Sequence, residues 1–248
     1  TITTPAAAGK VNQRRPTFTG GGEPGSTVTV VEGVVTLCTA LTNTSGTWSC
    51  SSEVDRLDGA NTVGATANDQ AGNGSSLTVR SFTLDATPPP APTLTQPLNG
   101  LATVAASLVI SGHASSLAVV KIYDDASQVA SVVAAIDGSW SFEIDPIDEG
   151  DYDFTAREFD DYDNFSVPSS TSSVRVDRTA PTVSFAVHPA ARSNQANAVF
   201  GLSADEPNVD FECALDSGAW LPCSASPVFN GLAEGSHTLR IRGSDRAG

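Results

Sequence analysis

Apolar and polar residues alternate along short runs of this chain, and Gly, Pro, Asn and Asp bound the runs. Val120 and Ile122 alternate with Lys121 and Tyr123, and Trp140, Phe142 and Ile144 alternate with Ser141 and Glu143. Phe211, Cys213 and Leu215 do the same ahead of a turn, as do Leu239 and Ile241 near the end. A period of two sends successive side chains to opposite faces, so each run reads as a strand with one buried face. No stretch carries the 3.6-residue period of an amphipathic helix, and the expected fold class is all-β.

The runs recur. Pro5, Pro97 and Pro189 open similar segments at intervals of 92 residues, and Ser45-Gly46-Thr47-Trp48-Ser49 and Asp137-Gly138-Ser139-Trp140-Ser141 keep that offset. A unit of this length can close its own core, so a fixed period of this size predicts an array of separate domains. The boundaries predicted are 1–87, 88–179 and 180–248, the last unit being cut short relative to the others. Several short strands in about 90 residues fit a two-sheet sandwich of the immunoglobulin type. The joints are proline-rich: Asp85-Ala86-Thr87-Pro88-Pro89-Pro90-Ala91-Pro92, then Asp177-Arg178-Thr179-Ala180-Pro181. Proline fixes its own φ and restricts its predecessor, so such linkers are extended and stiff. The expected architecture is therefore three tandem immunoglobulin-like sandwiches set end to end as an elongated rod.

Charge narrows the choice of partners. The chain has 28 Asp and Glu against 13 Lys and Arg, a net charge of −15. Nucleic-acid binding draws its affinity from a basic patch, which this balance excludes. No apolar run is long enough to span a bilayer, and no signal peptide stands at the start. The excess of acid is concentrated in the second unit, where Glu143 to Asp163 contains ten acids and one base, Arg157. Such a run is either a solvated face or a source of cation ligands.

The four cysteines form two close pairs, Cys38 with Cys50 and Cys213 with Cys223, each centred on a turn. Hairpins folded at those midpoints set the partners opposite one another, which predicts two local disulfides and an oxidising compartment. The aligned positions of the second unit are Ala130 and Phe142, so the bond is an accessory of the fold.

Together the motifs resemble a known family. Glu23-Pro24-Gly25-Ser26-Thr27-Val28-Thr29-Val30, Ser45-Gly46-Thr47-Trp48-Ser49, Leu57-Asp58-Gly59, Asn68-Asp69-Gln70-Ala71-Gly72-Asn73 and Asp85-Ala86-Thr87-Pro88 resemble the EPGxTVTV, SGxWS, LxDG, DxAGN and DTTAP signatures of bacterial Ig-like repeats in large surface adhesins. The second unit departs from the pattern, with Ser115-Ser116-Leu117 for EPG and Asp160-Asp161-Tyr162-Asp163-Asn164 for DxAGN. The resemblance implies a secreted or cell-surface stalk supporting adhesion, without catalysis, whose partners are adjacent repeats of a longer chain and surface glycans or envelope proteins. It also implies calcium at the domain junctions. The candidate ligands are Asp69 and Asp85 at the first unit, and Asp160, Asp161 and Asp163 clustered beside Asp177 at the second. Carboxylates gathered on turns suit calcium, which takes six to eight hard oxygens. The same aspartates also suit Asx-turns, in which the carboxylate only bonds its own backbone.

Other candidates are weaker. Gly20 to Gly25 matches GxGxxG in form, but a strand follows it where phosphate binding needs a helix. His113, His188 and His237 do not align between units, and no nucleophile motif accompanies them. Trp48, Trp140 and Trp220 each follow a turn. They cover the core, or else they stack on sugars as a carbohydrate-binding module requires. A subunit of an extracellular fibre or envelope complex is a further alternative.

Overall fold

The structure, a computed structural model, describes residues 1–247 and is all-β. No helix of the described residues is long and apolar enough to cross a membrane. In the first repeat the strands are β1 (Ile2–Thr4), β2 (Lys10–Val11), β3 (Thr17–Gly21), β4 (Thr27–Glu32), β5 (Val35–Leu41), β6 (Thr47–Ser51), β7 (Gly59–Asn68) and β8 (Thr78–Leu84). They form a three-stranded sheet, β1-β3-β6, and a five-stranded sheet, β2-β8-β7-β4-β5. Period-two alternation delivers one face of each sheet to a shared interior. Ile2, Phe18 and Trp48 come from the smaller sheet, and Val28, Val30, Leu37, Val63, Phe82 and Leu84 from the larger. Burial of each such side chain contributes about 1.5–3 kcal/mol before the entropy of ordering is set against it.

The second repeat copies this plan with β9 (Thr93–Gln96), β10 (Leu101–Thr103), β11 (Leu108–His113), β12 (Val119–Asp124), β13 (Ser127–Val133), β14 (Ser139–Ile144), β15 (Gly150–Phe159) and β16 (Ser172–Val176). Its sheets run β14-β11-β9 and β10-β16-β15-β12-β13. Ile110, Val120, Ile122, Phe154, Ala156, Val174 and Val176 fill the interior. Both repeats end on a strand, β8 or β16, that pairs antiparallel with the long strand before it and parallel with a short early strand.

The third repeat is built from β17 (Val183–Val187), β18 (Ala198–Val199), β19 (Gly201–Ala204), β20 (Asp210–Leu215), β21 (Leu221–Cys223), β22 (Val228–Phe229) and β23 (Leu239–Ser244). It has the pairs β17-β19 and β18-β22 and a three-stranded sheet, β21-β20-β23. Among the described residues every sheet draws its strands from one repeat, and the two core clusters share no residue.

Two features of the cysteine pairs differ from the expected facing partners in a hairpin. Cys38 and Cys50 are bonded, but β5 and β6 belong to opposite sheets, so the disulfide ties the two layers of the first sandwich together. The turn at Asn43 to Gly46 is a crossover between layers. Cys213 and Cys223 are also bonded, on paired strands, but Cys213 stands opposite Leu221 and Cys223 opposite Phe211, which makes the bond diagonal.

Candidate functional site

The joints are where side chains of successive repeats meet. Before each linker an acid holds the chain. Asp58, next to Gly59 at the start of β7, accepts hydrogen bonds from the Ala86 amide and the Thr87 hydroxyl and pairs with Arg14. The Thr87 and Ala86 bonds hold its carboxyl below the usual range. Glu149, next to Gly150 at the start of β15, accepts from the Arg178 amide at 2.6 Å and from the Thr179 hydroxyl.

At the first joint the loop after β15 reaches back to the first repeat. Asn164 Nδ2 donates to the Asp85 carbonyl at 2.8 Å. Lys10 Nζ donates to the Asp161 carbonyl at 3.1 Å, lies 3.6 Å from the Asp161 carboxylate and sits 5.0 Å above the Tyr162 ring. A lysine thus supplies the positive charge that faces the Asp161 loop.

At the second joint three acids converge. Asp177 from the linker, and Glu206 and Asp245 from two loops of the third repeat, each offer a carboxylate oxygen within 4.8 Å of the other two. Burial pushes the Glu206 carboxyl up, and the carboxylates of Asp177, Asp245 and Asp205 push it further. Arg175 Nε bonds Asp177 at 3.2 Å from one side.

The structure sorts the six aspartates singled out from sequence. Asp69 closes an Asx-turn: its carboxylate accepts from the amides of Ala71 and Asn73 and from Asn73 Nδ2, and the Asn73 bonds hold its pKa low. Asp160 makes the same set with Tyr162 and Asn164. Asp85 caps its own linker by accepting from the Thr87 amide. Asp161 faces Lys10, and Asp163 takes a positive φ of 61° in the tight turn. Asp160, Asp161 and Asp163 are not beside Asp177. Asp177 adjoins the Gly150 end of β15, whereas Asp160 follows the Phe159 end, and ten residues of strand separate the two by about 30 Å. Of the six, only Asp177 joins a cluster of three acids.

Sequence reasoning placed Asp245 with Asp69 and Asp160 as an equivalent turn aspartate but paired neither it nor Glu206 with Asp177, although both stand at motif positions. Glu206 occupies the place of Glu23 in EPG, and Asp245 that of Asp69 in DxAGN. The signal lies in pairing a linker acid with the motif acids of the following repeat. At the first joint the same rule brings up Asp85, Ser115 and Asp160, so the glutamate is absent there.

The other candidates have local roles. Trp48 and Trp140 are 4% exposed and stand opposite Gly20 and Gly112 of the neighbouring strand. Trp220 is half-buried beneath the guanidinium groups of Arg240 and Arg242. His188 Nδ1 contacts the Pro189 carbonyl, and His237 pairs with Asp216 at 2.9 Å.

A family model described as "Bacterial Ig-like domain" matches residues 5–86. No curated protein matches the chain. Among solved structures, the fibronectin(III)-like modules of Clostridium thermocellum CbhA are 19% identical over 71% of this chain and 93% of theirs, with a TM-score of 0.49. The BSP domain of a biofilm associated protein is 19% identical over 72% of this chain and 30% of that one, with a TM-score of 0.29. The FN1-FN3 domains of chicken CNTN1 are 10% identical over 96% and 91% of the two chains, with a TM-score of 0.34. Likenesses of this order carry no functional argument. With its motifs, two-sheet core and family match in agreement, the first repeat of this chain is a bacterial Ig-like domain.

Proposed function

We propose that the chain is a non-enzymatic spacer in an exported bacterial surface protein, a rod of repeats that holds an adhesive region away from the cell. The observation that carries this reading is the construction of the joints. Each linker is fixed at its start by an acid of the preceding sandwich, and each joint adds side-chain groups from the next one. Such joints favour reach and stiffness over a shared cleft. Two disulfides within repeats fit an extracellular setting, where thiols oxidise and proteases act.

Calcium belongs to the same proposal at the second joint. Asp177, Glu206 and Asp245 offer hard oxygens from both sides of the linker, and a divalent cation relieves the mutual repulsion that adds to burial in raising the Glu206 pKa. When bound, the ion bridges the second and third repeats. Asp245 also accepts from the amide of Ala247 in its own turn; Asp69 and Asp160 close the equivalent turns but stand in no cluster of three acids.

Small-angle scattering of the chain in calcium tests the reading. An elongated particle is expected, and a globule with the repeats folded back on one another overturns the spacer. Titration of calcium by calorimetry tests the metal separately: one site is expected, abolished by Glu206→Gln with Asp245→Asn.

A further inference from the structure

The outward face of β15 changes character halfway along. Phe154, Ala156 and Glu158 are buried, so Asp151, Asp153, Thr155, Arg157 and Phe159 alternate with them on the solvent side. The first two are acidic, like most of their surroundings. Arg157 is the one base between Glu143 and Asp163, and it stands directly opposite Lys121 of β12. Lys121 Nζ lies 3.8 Å from the centre of the Phe159 ring, and the Arg157 guanidinium lies 5.4 Å from that of Phe165. The two ring centres are 5.8 Å apart, and Phe165 is 54% exposed. Among the described residues neither base forms an ion pair.

The first repeat shows that the fold does not call for these residues. Thr29 stands opposite Thr66 there, as Lys121 stands opposite Arg157 in the second repeat. The isolated bridge between Phe159 and Phe165 is likewise formed by Asn68 and Gly74 in the first. On the same backbone, two threonines, an asparagine and a glycine are thus replaced by two bases and two phenylalanines. Contacts between cations and rings stabilise an exposed face only slightly, and like charges directly opposite each other oppose that gain. A face shaped by stability alone would set one of the abundant acids across from Lys121.

Beside the bases is a hollow of about 520 Å³ lined by Tyr123, Asp125, Thr155, Arg157, Phe159 and Phe165 among others. Its volume falls within the roughly 300–1,000 Å³ of small-molecule sites. Ring surface, two hydroxyls and one carboxylate meet there, next to two unpaired positive charges. Size and charge together favour a compact ligand with a single negative charge. A stable protein interface takes about 800 Å² on each side and would spread over Asp151 and Asp153, which repel an acidic partner. Arg157 stands four residues from Asp153, about 13 Å along the strand, beyond the ~8 Å reach of a surface charge in physiological salt.

We propose that this face of the second repeat is a saccharide site, which takes a sugar residue bearing one carboxylate. Lys121 and Arg157 hold the carboxylate, Phe165 packs against the C–H face of the ring, and Tyr123, Thr155 and Asp125 bond its hydroxyls. Trp48 and Trp140 are buried, so the site lies away from the tryptophan turns. It goes beyond the spacer reading and stands or falls separately from it.

The test follows the backbone amides of the whole chain by NMR as cellobiouronic acid, a glucuronate joined to glucose, is added. Cellobiose is the neutral counterpart. Saturable shifts at Tyr123, Thr155, Arg157 and Phe165 are expected, with Thr29, Thr66 and Gly74 of the first repeat unmoved, and cellobiose should bind about tenfold more weakly or worse. Lys121→Thr with Arg157→Thr gives the second repeat the residues that the first already carries, so the fold is retained, as melting checks. That variant should lose about tenfold in affinity for the acid and none for cellobiose, whereas Phe165→Gly should weaken both. No saturation, equal binding of cellobiose, undiminished binding by the double variant, or shifts elsewhere overturns the proposal. Acetate that reproduces the shifts at the same concentration also overturns it, by reducing the hollow to an anion site. Tighter binding of a hexaglutamate peptide, or a dimer of the chain alone that covers Phe165, overturns it by assigning the face to protein.

Discussion

At the residue scale the repeats rest on a contact between a tryptophan and a glycine that sequence reading does not reveal. In the sequence Trp48 and Trp140 read either as core residues or as sugar-stacking aromatics; the structure buries both, and the demand they make on the next strand was not legible. A Cβ on Gly112 meets the Thr93 carbonyl at 1.8 Å and the Trp140 ring at 2.8 Å, and one on Gly20 meets Thr1 and Trp48 in the same way. Backbone cannot retreat from such a contact, so Gly112→Ala is expected to destabilise the second repeat by about 1–3 kcal/mol, with no effect on the first, as read by urea denaturation followed at single repeats. The His237 and Asp216 pair makes a second prediction at this scale. The Asp216 carboxylate, together with the Ala233 carbonyl, raises His237 above its ordinary 6.5, and the His237 bond lowers Asp216 below its ordinary 3.8. A raised histidine contributes stability below 6.5 that is lost as pH rises through its folded value, and a lowered aspartate contributes above 3.8 and is lost on acidification. Melting of the third repeat should therefore respond to His237→Gln more at about pH 5.5 than at about pH 8.5, and an equal response at both would remove the ion pair from the account.

At the element scale, strand existence was legible and strand membership was not. Alternation in Val120 to Tyr123 and Trp140 to Ile144 identifies β12 and β14, because one face of each is buried. Nothing local says that β5 and β6 lie in opposite sheets, since a tight turn can close a hairpin or cross a sandwich and only the packing of both layers decides. Hence the cysteine partners were readable while the geometry of their bond was not. The structural consequence is that Cys38–Cys50 restrains one layer of the first repeat against the other. Replacing both cysteines by alanine should cost the first repeat about 3 kcal/mol through the freed unfolded chain, whereas reductant should leave the second repeat unmoved, where Ala130 and Phe142 pack into the core instead. Hydrogen exchange resolved by repeat checks this, and equal losses in both repeats would contradict it.

At the scale of the whole molecule the two joints are expected to respond differently to cations, and this is the part of the site least visible in the sequence. The acids are easy to count, but which of them meet depends on the ends of strands. Seventeen residues separate Asp160 from Asp177, yet β15 and β16 carry them to opposite ends of one sandwich. The first joint has Ser115 where the third repeat has Glu206, and Lys10 brings an internal charge to the Asp161 loop. The second joint gathers Asp177, Glu206 and Asp245 around a space that Arg175 and Arg246 also line, with Arg175 bonded to Asp177, so acids outnumber bases there. Removal of calcium should therefore loosen the second joint and spare the first, whereas Lys10→Glu should do the reverse, by setting like charges against each other across the first linker. Distance distributions between spin labels on either side of each linker provide the measurement. Broadening across Thr179 alone on chelation, and across Pro88 alone in the lysine variant, is the expected outcome. Equal broadening at both joints on chelation would mean that the lysine does not substitute for the metal, and no broadening at either would take the cation out of the spacer's stiffness.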